Sequence, residues 1–115
     1  MAEAPGEGFK RRSEPRAAVE LRVGVVGVDL NNRVFNEQTR TLNVSRVGVC
    51  LRLDSELPLG TRVSVGARGE RQRTHVATFE VRWTAKSAGR YLTGARLVSN
   101  GGWLTLLEET NSLPA

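Results

Sequence analysis

The feature that most constrains the fold is a period of two in hydrophobicity, which recurs in six short stretches of the chain. It is clearest from His75 to Trp83, where every second residue (His75, Ala77, Phe79, Val81, Trp83) is set apart from mostly polar neighbours. Successive side chains of a strand point to opposite faces, so this spacing predicts strands with one buried face. Six such strands, with turns about every 8–12 residues, predict an antiparallel barrel or sandwich.

The predicted strands cover about 17–30, 33–44, 47–53, 61–67, 75–84 and 91–98. In the first strand the apolar phase changes at Val25-Val26, between Gly24 and Gly27, which predicts a bulge or a barrel corner there. After Gly101-Gly102 the period changes, and residues 103–109 are expected to form a short helix over the open end of the sheet.

The chain is predicted to be one domain with two short flanks. Residues 1–9 are expected to be a flexible tail, and residues 10–16, which include Pro15, an extended and exposed loop. That loop and the six strands form the predicted domain, 10–100, and the short helix and a tail occupy 101–115.

Several functional classes are excluded by what the 115 residues contain. One cysteine, Cys50, leaves no disulfide framework and no cysteine zinc site. One histidine, His75, excludes His-rich metal sites and most histidine-based acid–base catalysis. No phosphate-binding loop, secretion signal or apolar run of about 20 residues is found. We therefore expect a cytoplasmic protein without a membrane span, resident cofactor, metal or enzymatic activity.

The charge is basic and carried almost entirely by arginine. Seventeen basic and twelve acidic side chains give a net charge of +5, and fifteen of the seventeen are Arg. The planar guanidinium fork suits phosphate and the edge of guanine, which favours an anionic partner. A genome rich in Arg codons would produce the same excess, so composition alone leaves both explanations open.

Two motifs concentrate the candidate binding residues. Arg12 and Arg16 lie four apart in the N-terminal loop, and Asn43, Ser45 and Gly48 follow at the junction of the second and third strands. Asn43 and Ser45 are two apart and point to one face of an extended chain, whereas glycine permits a turn or the close approach of a ligand. A solvated basic loop and local turn chemistry remain alternatives for each motif taken alone.

Together the motifs resemble the PilZ domain, whose signatures are RxxxR followed by [D/N]xSxxG. The resemblance extends to residues 81–83, Gly89 and residues 94–97, and covers about residues 9–100. It implies a six-stranded antiparallel β-barrel that binds cyclic di-GMP and has no catalysis of its own. The chain departs from the common pattern at Asn43, where many members have Asp, and at Val49, where a second Gly is common.

The resemblance also implies roles for single residues. Arg12 and Arg16 would bind guanine or phosphate, and Arg11 is associated in the family with an intercalated ligand dimer. Asn43 and Ser45 would contact the other guanine. Gly48 would let the backbone lie under the ligand.

Trp83 is expected either to line the pocket or to pack in the core. Three further arginines are interpreted as surface residues that extend the positive field: Arg46, Arg82 and Arg96.

The predicted function is that of a stand-alone, monomeric receptor. Ligand is expected to order the loop 10–16, and an unidentified effector protein would read that change. One alternative is a degenerate barrel that acts as a protein–protein adaptor without nucleotide. Another is a basic barrel for single-stranded nucleic acid, which is disfavoured because aromatic residues are only 5% of the chain.

Overall fold

The computed structural model describes residues 20–69 and 73–110. Six antiparallel strands in these residues form a closed barrel in the order β1-β2-β3-β6-β5-β4. Their bounds are β1 Arg22–Val28, β2 Val34–Val44, β3 Gly48–Leu53, β4 Arg62–Arg68, β5 Thr74–Ser87 and β6 Arg90–Ser99. The predicted all-β fold is confirmed, and the barrel is the correct one of the two architectures that the pattern allowed.

The barrel closes through a short pairing between its first and fourth strands. Only Gly24 to Val26 of β1 pair with Ser64 to Gly66 of β4, whereas β1 pairs with β2 along its whole length. Closure covers the middle of the edge that β1 and β4 would otherwise expose, which limits a common route to aggregation.

The core is built from the inward-facing residues of the alternating pattern. The buried hydrophobic cluster contains Val23, Val25, Val44, Val49, Leu51, Leu53, Leu57, Val63, Val65, Ala67, Ala77, Phe79, Val81, Ala95, Trp103, Leu106 and Leu107. Burying a Val, Leu or Phe side chain contributes about 1.5–3 kcal/mol, so this cluster is the main source of the barrel's stability.

Register shifts add an extra residue to β2, β5 and β6, and none lies where the sequence predicted a bulge. The register shifts between Thr41 and Asn43, and again between Val81 and Trp83 and between Thr78 and Phe79. Of the bulge or barrel corner predicted at Val25-Val26, the bulge is wrong, because β1 pairs with β2 without a shift. Val26 is 43% exposed and lies on the outer face, so the run of valines reflects an apolar outer residue rather than a change of phase.

The predicted C-terminal helix is confirmed as α1, Trp103–Glu109, which packs Trp103, Leu106 and Leu107 into the core. Its last turn is tied to β5 by Glu109, whose Oε1 lies 3.2 Å from Nε2 of His75. Within residues 20–69 and 73–110, no helix has the length and apolar character needed to cross a membrane.

Candidate ligand-binding face

The second motif forms the turn between β2 and β3. The backbone N–H of Ser45 donates to the carbonyl of Gly48 at 2.9 Å, and the N–H of Val47 donates to Ser45 Oγ at 3.2 Å. Ser45 is only 2% exposed. Its hydroxyl oxygen accepts a hydrogen bond within the turn, which ties the side chain to the local backbone.

The helix α1 anchors this turn from below. Trp103 donates its indole N–H to the carbonyl of Ser45 at 2.9 Å in a buried hydrogen bond. The same indole meets Phe79 edge to face, with ring centroids 4.9 Å apart. Sequence reasoning assigned Trp103 to the helix and missed this link, although a buried tryptophan N–H nearly always finds an acceptor.

Gly48 allows a neighbouring strand to come close. A Cβ at Gly48 would lie 3.0 Å from the carbonyl oxygen of Ala95 on β6, which is tighter than ordinary packing. Gly48 is not among the residues with positive φ, so the turn itself does not require glycine there. Glycine is favoured at position 48 because β6 approaches closely there. That the backbone at Gly48 lies under a ligand stays a prediction.

A row of four residues crosses four strands beside this turn. Asn43 pairs with Cys50, Cys50 pairs with Gly94, and Gly94 pairs with Trp83. Residues directly opposite each other in antiparallel strands point to the same face. Cys50 lies between the inward-facing residues Val49 and Leu51 and outside the core cluster, so the row lies on the outer face.

Trp83 belongs to this outer face and not to the core. It is 39% exposed, whereas Val81 is buried, because the bulge at Arg82 reverses the alternation between them. The interpretation of Trp83 as a core residue is therefore wrong. Its ring lies over Gly94 so closely that a Cβ there would overlap the indole at Nε1 and Cε2.

Charged residues flank this row: Arg46 lies in the turn, Glu80 and Arg82 lie on β5, and Arg96 lies on β6. The described members of the predicted site (Asn43, Ser45, Gly48 and Trp83) are all uncharged. Arg96 is exposed and pairs across strands with Gly48 and with Glu80. The carboxylate of Glu80 lies 3.3 Å from Nη1 of Arg82.

The predicted residues Arg11, Arg12 and Arg16 lie outside the described residues. The first described residue, Glu20, is four positions after Arg16. Next to it, Leu21 exchanges hydrogen bonds of 2.9 Å with the backbone and side chain of Thr41 on β2. The chain therefore enters the barrel beside Thr41 of β2, which is two residues before Asn43.

A half-open cavity of about 530 Å³ lies on another side of the barrel. It opens between β1 and β4, and Leu106 of α1 contributes to its wall. In the barrel order this gap is opposite the β3–β6 pair, and no predicted site residue lines it. No group of three or more His, Cys, Asp or Glu that is suited to a metal occurs in residues 20–69 and 73–110.

Comparison with known proteins identifies the family. The model of the PilZ domain matches residues 10–102. Among solved structures, the fold is similar to that of the Bacillus subtilis inhibitor of motility (MotI/DgrA), with a TM-score of 0.65 and 17% identity. The match covers 87% of this chain and 49% of that one, so this chain spans about half the length of its structural relative.

No curated protein matches the sequence. PilZ domains are non-catalytic cyclic di-GMP receptors, and this confirms the prediction that the domain is not an enzyme. The family match spans most of the 115 residues and agrees with the closed six-stranded barrel. The chain belongs to the PilZ domain family.

Proposed function

We propose that this chain binds cyclic di-GMP on the outer face of β2, β3, β5 and β6. The observation that carries the proposal is the cross-strand row from Asn43 to Trp83. The row brings an amide and an indole that are forty positions apart in sequence to the same face, next to the turn of Ser45 and Gly48.

The barrel side of the site recognises guanine. The side-chain amide of Asn43 carries donors and an acceptor of the kinds that match the edge of guanine. Ser45, although only 2% exposed, carries a hydroxyl in the same turn. A site of this kind discriminates against adenine, because its polar groups would be left unpaired. The exposed indole of Trp83 provides an apolar surface on which a purine stacks.

The N-terminal loop supplies charge. Arg12 and Arg16 grip phosphate or the O6 and N7 edge of guanine with two-toothed hydrogen bonds, each contributing about 1.5–3 kcal/mol. The length of the chain allows these arginines to reach the barrel. Leu21 is hydrogen-bonded to β2, and its neighbour Glu20 is four positions after Arg16. At a maximum of ~3.6 Å per residue, four residues span at most about 14 Å.

Arg11 sets the number of ligands bound. Two intercalated molecules bring four negative charges, and a third arginine beside Arg12 offsets part of their repulsion. We therefore propose a ratio of two ligands to one chain, with residues 10–100 acting as a monomeric binding domain.

The signal is relayed by the loop 10–16. Ligand orders this loop against the barrel, which changes the surface presented to an effector protein. The adaptor alternative keeps the barrel and the effector but needs no nucleotide, so ligand binding is the property that separates them.

Isothermal titration with cyclic di-GMP tests the proposal. We expect saturable heat at two ligands per chain, at least tenfold weaker binding for Arg12→Ala, and a lower ratio for Arg11→Ala. Arg33→Ala, an exposed arginine outside both motifs and before β2, is the control with the same charge change. Absence of heat and of chemical-shift changes at high ligand concentration in the wild-type protein would overturn the proposal.

A gel shift with generic single-stranded RNA and DNA tests the nucleic-acid alternative. A receptor selective for cyclic di-GMP gives no retardation at moderate salt, whereas a polyanion-binding barrel gives a shift that weakens steeply with salt.

A further inference from the structure

The four described residues assigned to the proposed site carry no charge. Asn43, Ser45, Gly48 and Trp83 are neutral, yet cyclic di-GMP carries two phosphates. Moving a phosphate from water onto a protein surface is favourable only where a cation or several donors replace its hydration. A second cation on the barrel itself would complement the arginines of the N-terminal loop.

Arg96 lies where such a cation is needed. Its Cα pairs with that of Gly48 across β3 and β6, and it is two residues from Gly94 on the same strand. Residues two apart share a face, so Arg96 projects from the same outer face as Asn43 and Trp83. The row that contains Arg96 lies about 7 Å along the strand from the row that contains Trp83.

The surface between these rows is floored by small residues. Gly48 and Gly94 have no side chains, and a Cβ at either would crowd a neighbour. The indole of Trp83 already covers Gly94, so the surface that a ligand can reach lies beside Gly48, between that ring and Arg96.

The guanidinium of Arg96 is also available. Its cross-strand neighbour Glu80 is engaged by Arg82 at 3.3 Å. Among residues 20–69 and 73–110, no carboxylate oxygen lies within 4.0 Å of Arg96. Because Arg96 is exposed and free of a carboxylate there, it can bind an anion without first breaking an ion pair.

We infer that Arg96 is a further ligand contact, which donates to a phosphate of cyclic di-GMP bound across Gly48. This inference rests on the proposed function and adds a residue outside both sequence motifs. It replaces the interpretation of Arg96 as a general contributor to positive field.

The test is isothermal titration of the full chain with cyclic di-GMP. Arg96→Gln should raise the Kd about tenfold or more, as expected for loss of one charge-assisted hydrogen bond. Arg96→Lys keeps the charge that a phosphate needs and should recover most of the affinity. The control is Arg33→Gln, which removes the same charge about 30 Å along β2 from Asn43 and should leave the Kd within about twofold.

The outcomes separate this inference from the proposed function. If the wild type binds and Arg96→Gln binds equally well, the inference is wrong and the proposed function stands. If Arg33→Gln weakens binding as much as Arg96→Gln, the effect is general charge and the inference is wrong. If the wild type does not bind, both are wrong. Thermal unfolding of each variant checks that the barrel is intact.

Discussion

At the scale of single residues, the outer face depends on one glycine and one tryptophan. Trp83 lies over Gly94 because nothing but a hydrogen atom occupies the Cβ position there. One side of the ring is covered by the backbone at Gly94, and the rest is open to solvent, so 39% of the residue is exposed. Such a ring is held in orientation without being removed from the surface.

Gly94→Ala should displace Trp83. The added methyl group overlaps the indole, so the ring must swing into solvent; we expect a red shift of tryptophan emission and several-fold weaker cyclic di-GMP binding. The free energy of unfolding should fall by about 1 kcal/mol, the low end for overpacking, because an exposed ring can move.

Gly66→Ala on β4 is the matched control for this variant. A Cβ there would have its nearest neighbours at 3.5 and 3.7 Å, which is ordinary contact. Stability should stay the same or rise by about 0.4–1 kcal/mol, with no emission shift. Unchanged emission and affinity in Gly94→Ala would show that Trp83 does not depend on the glycine.

At the scale of elements, two connections between strands are held by residues distant in sequence. The turn after β2 is bonded to α1 through Trp103, 58 positions away. The loop after β3 is held by Glu37 of β2, whose carboxylate accepts from the N–H of Asp54 at 2.8 Å and from the N–H and hydroxyl of Ser55. Loops fixed in this way present side chains at defined positions.

Trp103→Phe should destabilise the protein by about 2–3 kcal/mol. Phenylalanine keeps much of the contact with Phe79 but leaves the buried carbonyl of Ser45 without its donor and the site incompletely filled. Urea unfolding measures the change. Trp83→Phe, on the exposed outer face, is the control and should cost less than about 1 kcal/mol; equal losses would contradict the anchoring role.

Glu37→Ala should cost about 1–3 kcal/mol, because it leaves the donors of Asp54 and Ser55 without their carboxylate. Denaturant unfolding again gives the value. The control is Glu80→Ala, which removes a surface ion pair with Arg82 worth at most about 1 kcal/mol. Should the two variants unfold at the same denaturant concentration, Glu37 would be no more than a surface charge.

At the scale of the whole molecule, the barrel is a scaffold whose core does not depend on the binding residues. None of the described site residues belongs to the core cluster, and the proposed site occupies the outer wall. The half-open cavity between β1 and β4 is on the opposite side, so ligand on the outer wall leaves it uncovered.

Cyclic di-GMP should therefore stabilise the folded chain by mass action alone. At a free ligand concentration of 100 times the Kd, one bound ligand raises the free energy of unfolding by about 2.7 kcal/mol. Arg12→Ala should unfold like the wild type without ligand and show little gain with it. Thermal melts with and without ligand measure this; loss of stability in ligand-free Arg12→Ala would contradict the separation of site and core.

The elements were predictable because their signals are local. Alternation marks each strand, and turn residues such as Gly89, with φ of 79°, mark their ends, so most bounds agree within about two residues. The second motif was predictable for the same reason, since Asn43, Ser45 and Gly48 lie within six residues of each other. The bulge at Arg82 was not, because it depends on how β5 meets β6.

The sequence by itself determined that the chain is a small all-β domain with two polar motifs, since hydrophobic period and turn chemistry act between near neighbours. Only the tertiary structure decided that the strands close into a barrel, that Trp83 faces outward over Gly94, and that Arg96 lies opposite Gly48. These arrangements depend on strand register, and register is set by packing between segments far apart in the chain.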